Sequence, residues 1–460
     1  ARGAGARGAL LTRNGVGGAG SGAGAAAASA FLAETLSSKA SKTTQKALAL
    51  ALVYPTAETK SEGKPPWAGL LEVGDNLGAG GFGTVSVMSP RSRGSVCRGC
   101  APLVAKRSLK AVEFTDDPES RKALRDACVA HALAATPAEE SPPPVVPVVD
   151  ARLVQGHLLV LMGHGGTSLK ARLAGVEPLK ELFKQGPTPQ VLRTLANVAA
   201  ALYHIALGID RMHDLGVLHC DLKPDNVVVQ ATGTSLWQAR LIDFDLARRP
   251  SVRIPGFLRP GTQWWMSPDY AKYALEGPGC QQESDIWALG MMLYVAAHGA
   301  AGPSELRNLP DNCDTLCWWE AIQRFHTAFF NESAGHWLPA PQDERLAAAS
   351  RSINAMLKLL LATDRGGAVA GFKGLVGDAG RFAKKVAQQA VDAGAEFAGG
   401  GLTLHEGPPP RCAASLRKGS SLWEYIDGKT VGDCLDQGAK KHINIIFLMI
   451  SPTVWENFRR

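Results

Sequence analysis

One short segment constrains this chain more than any other: residues 219–226, which read HCDLKPDN. It holds two carboxylates, a lysine and an amide, and it follows a long helical pattern from Pro189 to Leu215. An apolar strand from Asn226 to Gln230 comes next, and Asp243 follows a second short strand. Because loops beside regular elements often carry function, we expect these polar groups to converge on a site.

These residue types are the ones that phosphoryl transfer requires. One carboxylate orients the attacking hydroxyl, an amide and a second carboxylate hold Mg²⁺, and a lysine neutralises charge on the transferred group. Asp221, Asn226, Asp243 and Lys223 supply these four groups.

A glycine-rich segment, residues 78–85, reads GAGGFGTV. Glycines let the backbone approach phosphate oxygens closely and point N–H groups at them. A tight hairpin turn is the plain alternative, and a dinucleotide-binding fold would require a helix directly after the glycines. The β-branched residues 84–87 follow instead. This order favours a loop between two strands that lies over a triphosphate.

Lys106 lies in the apolar segment Val104-Ala105-Lys106. A lysine at the centre of an apolar strand is costly unless its charge has a partner. The α- and β-phosphates of a nucleotide would supply that partner. For a lysine taken alone, a solvated position at a sheet edge is the alternative.

The order of patterns along the chain indicates an α+β fold. Short strands are predicted at Leu71 to Val87, Leu103 to Ser108 and His157 to Met162, with one helix at Asp117 to Ala135. From Ser284 onward the pattern is mostly helical. A small strand-rich part followed by a larger helix-rich part predicts two lobes with a cleft between them.

Taken together, the motifs resemble the eukaryotic protein kinase family of serine/threonine type, over about Leu70 to Arg365. The resemblance implies a bilobal kinase domain at 67–365, with a β-rich N-lobe at about 67–162 and a helical C-lobe at about 163–365. It also implies ATP and Mg²⁺ as cofactors. The implied reaction is transfer of the γ-phosphate to serine or threonine hydroxyls of protein substrates.

The same resemblance assigns roles to individual residues. Asp221 is the implied catalytic base, Lys223 steadies the γ-phosphate, and Lys106 contacts the α- and β-phosphates. Asn226 and Asp243 are the implied Mg²⁺ ligands. The implied ATP-binding residues are Leu77, Gly78, Gly80, Gly83, Val85, Ala105, Lys106, Met162 and His164.

The resemblance also assigns structural features around these residues. Leu161 resembles the gatekeeper, ahead of a hinge at Met162 to His164. Asp285 begins a segment similar to the family's buried central helix, and it is implied to brace the catalytic-loop backbone. Lys223 and Thr262 are the features typical of serine/threonine specificity.

Several positions depart from the family pattern. No glutamate is evident as the ion-pair partner of Lys106; Asp126 is the best candidate by spacing and Glu119 the second. Cys220 stands where the family usually has an arginine that pairs with a phosphorylated activation loop, so the chain is a non-RD variant with HCD and DFD motifs. We therefore predict activity that does not depend on that arginine-mediated switch. Asp245 replaces a flexible glycine and is expected to stiffen its segment.

These departures keep other hypotheses open. A pseudokinase would bind ATP or act as a scaffold with little or no phosphotransfer. A kinase of small molecules is a third hypothesis, and the segment containing Thr262, Trp264 and Trp265 argues against it.

The two ends of the chain are less informative. Residues 1–66 are rich in Ala, Gly, Ser and Arg, which is typical of a disordered tail or of a transit peptide. We expect a cytoplasmic protein, or a plastid or mitochondrial one if a transit peptide is present. Residues 366–460 are an extension of unknown role, with an amphipathic helix predicted from Phe372 to Phe397.

Charge, hydropathy and cysteine content narrow the functional classes that remain. The net charge is +7, of which +5 lies in residues 1–66, so the body of the chain gives no argument for nucleic-acid binding. No apolar stretch approaches the ~18–20 residues of a membrane-spanning helix.

Nine cysteines are scattered, and the pair Cys97 and Cys100 is expected to be ordinary thiols, with metal or redox use as the alternative. The oligomeric state is not predicted.

Overall fold

The computed structural model of the chain describes residues 71–79, 83–90, 103–108, 126–127, 129–130, 133, 144–146, 148–154, 157–231, 236–248, 262–273, 279–307, 309–310, 313–331, 335–362 and 365–397. The predicted N-terminal tail, Gly80, Glu119, and the cysteine pair Cys97 and Cys100 lie outside these residues.

The chain divides into two compact units. The first comprises residues 1–76 and 89–98, of which only the strand ends 71–76 and 89–90 are described. The second comprises residues 77–88 and 99–460, and it contains every site residue discussed below.

The N-terminal part contains a five-stranded sheet with the strand order β1-β2-β3-β5-β4. Its strands are β1 (Leu71–Ala79), β2 (Gly83–Pro90), β3 (Leu103–Ser108), β4 (Val148–Val154) and β5 (His157–Gly163). β3 pairs antiparallel with β2 on one side and with β5 on the other. This central strand carries Lys106, which lies opposite Val85 on β2 and Val160 on β5.

The C-terminal part is mostly helical. A small sheet of β6 (Thr167–Ser168), β7 (Val227–Gln230) and β8 (Gln238–Leu241) lies among the helices. The helices are α1 (Leu169–Ala174), α2 (Leu179–Leu182), α3 (Pro189–Asp214), α4 (Pro268–Tyr273), α5 (Gln282–His298), α6 (Ser304–Arg307), α7 (Thr315–Phe330), α8 (Glu344–Leu360) and α9 (Arg365–Asp392). The α+β organisation predicted from the sequence is confirmed.

Helix α3 follows the predicted helical pattern almost residue for residue. The Thr188 hydroxyl accepts a hydrogen bond from the Val191 N–H, and Pro189 takes the first helical position, where its missing N–H costs nothing. Arg211 and His213 in the last turn complement the negative end of the helix dipole.

Helix α5 forms the centre of the helical core. Residues 284–297 are all buried, as expected for a helix that is apolar around its whole circumference. The charged residue in this buried stretch is Asp285 in the first turn, which is only 2% exposed. A buried carboxylate needs hydrogen-bond partners, and the loop of residues 219–226 supplies them through the N–H groups of His219 and Cys220.

Helix α9 covers the first part of the predicted C-terminal extension. The amphipathic helix predicted from Phe372 to Phe397 is present, but it begins earlier and ends at Asp392. It packs mainly along α3, where Lys373 pairs with Asp214 at 2.8 Å and the Phe372 ring lies 6.5 Å from the His213 ring.

The prediction that no apolar stretch approaches the length of a membrane-spanning helix needs one correction. Among the described residues, α3 is long and apolar enough to cross a membrane, but 72% of its most apolar window is buried inside the protein. Counting uninterrupted apolar runs missed this helix because polar residues interrupt the sequence. Its burial is what the core helix of a folded domain shows.

Candidate active site

A cavity of about 450 Å³ brings together most of the residues predicted to bind ATP. It lies entirely within the second compact unit and is lined by segments from both the sheet and the helical part. The predicted residues on its surface are Leu77, Gly78, Gly83, Val85, Lys106, Met162, His164, Asn226 and Asp243. The cavity therefore joins the glycine-rich turn, the β3 lysine and the two implied metal ligands.

Two residues predicted to lie at the cavity wall are each one position away from the residue that lines it. Val104, rather than Ala105, lines the cavity with Lys106, since alternate residues of a strand share one face. Ala105 is buried on the other face of β3, where it pairs with Leu161 on β5. Leu161 for the same reason is not the gatekeeper: Val160 and Met162 line the cavity.

Gly83 is required by the packing of the two strands beside the cavity. It pairs with Ser108 on β3. A Cβ atom at this position would come within 2.5 Å of the Arg107 carbonyl oxygen. Any larger residue would therefore push β2 and β3 apart above the site.

Lys106 lies between two carboxylates. Its Nζ is 2.6 Å from Asp126 Oδ2 and 2.8 Å from Asp243 Oδ1. Burial alone would lower the pKa of Lys106, but Asp126 and Asp243 outweigh it and raise this pKa. Burial acts in the opposite direction on Asp243, where the Lys106 charge prevails and lowers the pKa. Lys106 and Asp243 therefore stay charged at neutral pH.

Asp126 serves two partners at once. One carboxylate oxygen pairs with Lys106, and the other accepts a hydrogen bond of 2.8 Å from the Phe244 N–H. Of the two candidates, Asp126 thus contacts the lysine, whereas Glu119 lies outside the described residues. The shorter side chain of aspartate links β3 directly to the segment that follows β8.

The carboxylate of Asp221 accepts hydrogen bonds from three side chains. Lys223 Nζ lies 2.6 Å from its Oδ2, and the Asn226 amide lies 3.1 Å from the same oxygen. The Thr262 hydroxyl donates to Oδ1 at 2.9 Å and accepts from Lys223 Nζ at 2.8 Å. Both carboxylate oxygens are therefore fixed in direction.

The backbone before Asp221 is held by helix α5. The two Asp285 oxygens accept hydrogen bonds of 2.9 Å from the N–H groups of His219 and Cys220. His213 from α3 lies 3.0 Å from one of the same oxygens. Burial would raise the pKa of Asp285, but these hydrogen bonds outweigh it and lower the pKa. The charged form of Asp285 therefore anchors the loop.

Cys220 and Asp243 have left-handed backbone conformations, each with φ of +69°. Residues other than glycine adopt this conformation rarely, at a cost of ~1–3 kcal/mol, and only where the surroundings impose it. One of them precedes Asp221, and the other is the carboxylate that pairs with Lys106. Among the described non-glycine residues only these two have a positive φ.

Asp245, the residue that replaces glycine, is almost fully buried. Burial and the nearby charges of Asp243 and Asp126 raise the pKa of Asp245 to about 8. At neutral pH this carboxyl is therefore mostly protonated and adds little negative charge to the cavity.

A disulfide joins Cys220 to Cys280, and a second joins Cys313 to Cys317. Neither bond is predictable from the sequence, because the connectivity of scattered cysteines cannot be read from their spacing. The first bond connects the catalytic loop with the segment before α5. Arg248, also not predicted, donates to the Cys280 carbonyl oxygen at 2.7 Å.

The donor set fits Mg²⁺ bound with a nucleotide better than an ion held by protein alone. Among the described residues there is no group of three or more His, Cys, Asp or Glu side chains that could hold a metal. Asn226 and Asp243 offer two oxygen ligands on one cavity. Mg²⁺ is typically bound by one or two carboxylates together with substrate phosphates and water.

Comparison with known proteins agrees with this geometry. Residues 165–364 match the family profile of the protein kinase domain. The chain is 28% identical over 284 residues to the probable serine/threonine-protein kinase PkwA of Thermomonospora curvata, which is 57% of this chain and 33% of the relative. It is 35% identical over 151 residues to mitogen-activated protein kinase kinase kinase 17 of Arabidopsis thaliana, which is 30% of this chain and 38% of the relative.

The shared part is shorter still in a third relative. The smooth muscle myosin light chain kinase of Gallus gallus is 37% identical over 98 residues, which are 21% of this chain and 5% of the relative. The chain thus spans less than two fifths of each of these three relatives.

Over residues 165–364 the chain thus resembles a protein kinase domain, and its β-rich part followed by a helical part has the order of that fold. Of these relatives, PkwA is named as a probable serine/threonine-protein kinase.

Proposed function

We propose that this protein transfers the γ-phosphate of ATP to serine or threonine hydroxyls of protein substrates, with Mg²⁺ as cofactor. One observation carries the proposal: Lys106, Asn226 and Asp243 line a single cavity, and the Asn226 amide also donates to Asp221. Groups for the phosphates and for the metal thus share one cavity, and Asn226 also contacts the group proposed for the accepting hydroxyl. The proposed catalytic domain is 67–365.

The cavity suits a nucleotide. Val85, Val104 and Met162 supply apolar surface for a base, while Lys106 presents a cation beside Asp243. Bound Mg²⁺ would neutralise phosphate charge, and Asn226 and Asp243 are the residues that would hold it. The Lys106 ammonium would bind phosphate oxygens, and Asp126 would keep it in place.

Asp221 is placed to act on the accepting hydroxyl. Hydrogen bonds from Lys223, Thr262 and Asn226 orient its carboxylate. A carboxylate held in this way orients a substrate hydroxyl and accepts its proton as phosphate is transferred. Thr262 precedes the turn Gln263–Trp265, so it links the base to the segment beside the substrate. This link supports serine and threonine as the accepting residues.

The test is a phosphotransfer assay with the full chain, Mg²⁺, labelled ATP and a generic protein substrate. We expect label on serine or threonine, and we expect the Asp221→Asn variant to lose it while it still binds ATP. Binding of ATP without transfer by the wild-type protein would instead support a scaffold, and transfer that persists in Asp221→Asn would remove Asp221 from its role.

We also propose that activity does not depend on a phosphorylated activation loop. Cys220 occupies the place of the arginine that reads such a phosphate, and its side chain is bonded to Cys280. Phosphatase treatment should leave kcat unchanged within about twofold. A large loss of kcat on dephosphorylation would contradict this proposal.

The proposed compartment is the cytoplasm, or a plastid or mitochondrion if residues 1–66 contain a transit peptide. Fusions of a fluorescent protein to the chain with and without residues 1–66 test it. An organellar signal that disappears with the shorter chain would select the second alternative.

A further inference from the structure

The Cys220–Cys280 disulfide lies beside the proposed catalytic base. Cys220 immediately precedes Asp221, and Cys280 lies two residues before α5 begins at Gln282. Their Cα atoms are 5.7 Å apart, a separation that a disulfide spans without backbone movement. The bond therefore ties the catalytic loop to the segment that leads into the central helix.

Both sulfurs are enclosed by the protein. Cys220 is 5% exposed and Cys280 is fully buried, in a small apolar cluster of their own. The other buried members of that cluster are Leu218, Met266 and Tyr270. Because the pair is buried together, the sulfurs can react with each other more readily than with an outside partner.

The segment that carries Cys280 is fixed independently of the bond. The Arg248 guanidinium donates to the Cys280 carbonyl oxygen, and the backbone of Arg248 exchanges two hydrogen bonds of 2.8 and 2.9 Å with Leu218. Gly279 has a φ of +71°, and the Arg248 side chain fills the place that a Cβ would take there. Cys280 is thus a firm attachment point for the loop.

The residue on the other end of the bond needs such an attachment. Cys220 has a φ of +69°, which a residue other than glycine keeps only when its surroundings impose it. Asp285 holds the Cys220 N–H, and the disulfide holds the Cys220 side chain. The direction of the following peptide, and with it the position of Asp221, depends on both.

We propose that Cys280 is a positioning residue for Asp221, acting through its disulfide with Cys220, and that phosphotransfer consequently depends on the redox state of this pair. The disulfide form is the faster enzyme, and the dithiol form is the slower one. This inference rests on the proposed kinase activity.

The redox step is a thiol–disulfide exchange. Two thiols lose two protons and two electrons as the sulfur–sulfur bond forms, and a low-molecular-weight disulfide such as oxidised glutathione takes them up to become two thiols. A dithiol reductant reverses the reaction. Since both sulfurs are buried, exchange requires local opening, and the protein must be equilibrated with the redox buffer for hours.

The expected effect is on turnover and not on nucleotide binding. Reduction should lower kcat by about tenfold, because a small misplacement of a catalytic group costs one to two orders of magnitude. The KM for ATP should stay within about twofold. Lys106, Asp126 and Asp243 are held by ion pairs that involve neither cysteine.

The experiment measures kcat and the KM for ATP of the full chain after oxidation and after reduction. It uses wild type, Cys220→Ser, Cys280→Ser and the double variant Cys313→Ser/Cys317→Ser as a matched control. The control removes the second disulfide, at the start of α7, and should respond to reductant as wild type does. Cys220→Ser and Cys280→Ser should show the low kcat in both buffers and a normal KM for ATP.

Two further readouts do not depend on activity. Differential alkylation with mass spectrometry should find Cys220 and Cys280 joined in the oxidised protein. Amide hydrogen exchange of a peptide covering 218–226 should become faster on reduction in wild type, and it should already be fast in Cys280→Ser. The normal KM for ATP expected of Cys220→Ser and Cys280→Ser shows that the variants are folded.

The outcomes separate the two proposals. Absence of phosphotransfer by the wild type in either buffer would contradict the proposed function. The alkylation and exchange data would still test whether the Cys220–Cys280 disulfide holds the loop that carries Asp221. An equal response of Cys280→Ser and wild type to reductant, or free thiols at both positions after oxidation, would overturn the inference.

Discussion

The two halves of the site are held together in different ways. The Lys106 cluster, which consists of Lys106, Asp126 and Asp243, is made of side-chain ion pairs between segments as much as 137 residues apart. The catalytic loop, residues 219–226, is held through its backbone by the buried carboxylate of Asp285. The cluster is partly open to the cavity, whereas the anchor of the loop is sealed in the core.

Mutations in the Lys106 cluster and mutations of the anchor of the loop should therefore have different consequences. Losing a member of the Lys106 cluster should chiefly impair nucleotide binding and phosphate chemistry, because these three side chains line the cavity. Losing the anchor of the loop should reduce stability and turnover together, because a buried polar group is left without its partner.

The largest effect is expected for Asp243→Asn. Removing the implied metal ligand and one partner of Lys106 should lower kcat/KM roughly a thousandfold in an assay with Mg²⁺. The thermal unfolding midpoint should change little. Asp378→Asn makes the same change on the outer surface of α9 and should leave both quantities unchanged. A stable Asp243→Asn variant with normal kcat/KM would contradict the role of the Lys106 cluster.

Asp285→Ala is expected to have the largest effect on stability. Two backbone N–H groups and His213 would lose their acceptor inside the core, so the free energy of unfolding should fall by about 3–5 kcal/mol, with kcat reduced as well. Urea denaturation measures the first quantity. Asp314→Ala removes an exposed cap of α7 and should cost only about 1 kcal/mol. Equal losses in the two variants would show that the loop is not anchored by Asp285.

A smaller effect is expected for Asp126→Asn. The amide can still accept the hydrogen bond from the Phe244 N–H, but the charge that holds Lys106 is lost. Affinity for ATP, measured by calorimetry, should fall by about tenfold to a hundredfold, the size of a charge-assisted hydrogen bond. An unchanged affinity would mean that Asp243 alone positions the lysine.

The smallest expected effect is a pH dependence of stability that arises in the helical part, at His204. Burial lowers the pKa of His204 on α3 to about 4, below its ordinary value of 6.5. The unfolded state therefore binds a proton more readily than the folded state between these two pH values. Stability should decrease as the pH falls from about 6.5 towards 4.

The matched variant for this prediction is His204→Gln, measured by urea denaturation. Between pH 7 and pH 5 the wild type should lose about 1–2 kcal/mol more than the variant. The KM for ATP should not follow this difference, because His204 does not line the cavity. Parallel pH profiles of the two proteins would remove His204 as the cause.

The helices and strands whose apolar residues recur at a regular spacing could be predicted from the sequence. The helix at 189–214 and the hairpin of β7 and β8 follow regular apolar patterns, and the structure has them within one or two residues. Lys106, Asn226 and Asp243 could likewise be placed on one cavity, because ordered motifs with fitting spacing identify a whole arrangement at once.

The errors arose where the face of a strand or a distant contact decides. The family resemblance places Ala105 and Leu161 at the cavity, but alternation along β3 and β5 turns their neighbours towards it. The partner of Lys106 could only be ranked, because a short carboxylate reaches the lysine through a backbone geometry that spacing does not encode. The link between Cys220 and Cys280 depends on tertiary proximity across 60 residues.

The most direct test of the account is a crystal structure of the full chain with Mg²⁺ and a non-hydrolysable ATP analogue. We predict the phosphates beside Lys106 and a metal bound by Asn226 and Asp243, with Asp221 facing the terminal phosphate. An analogue bound away from these four side chains, or a metal coordinated by neither Asn226 nor Asp243, would contradict the account.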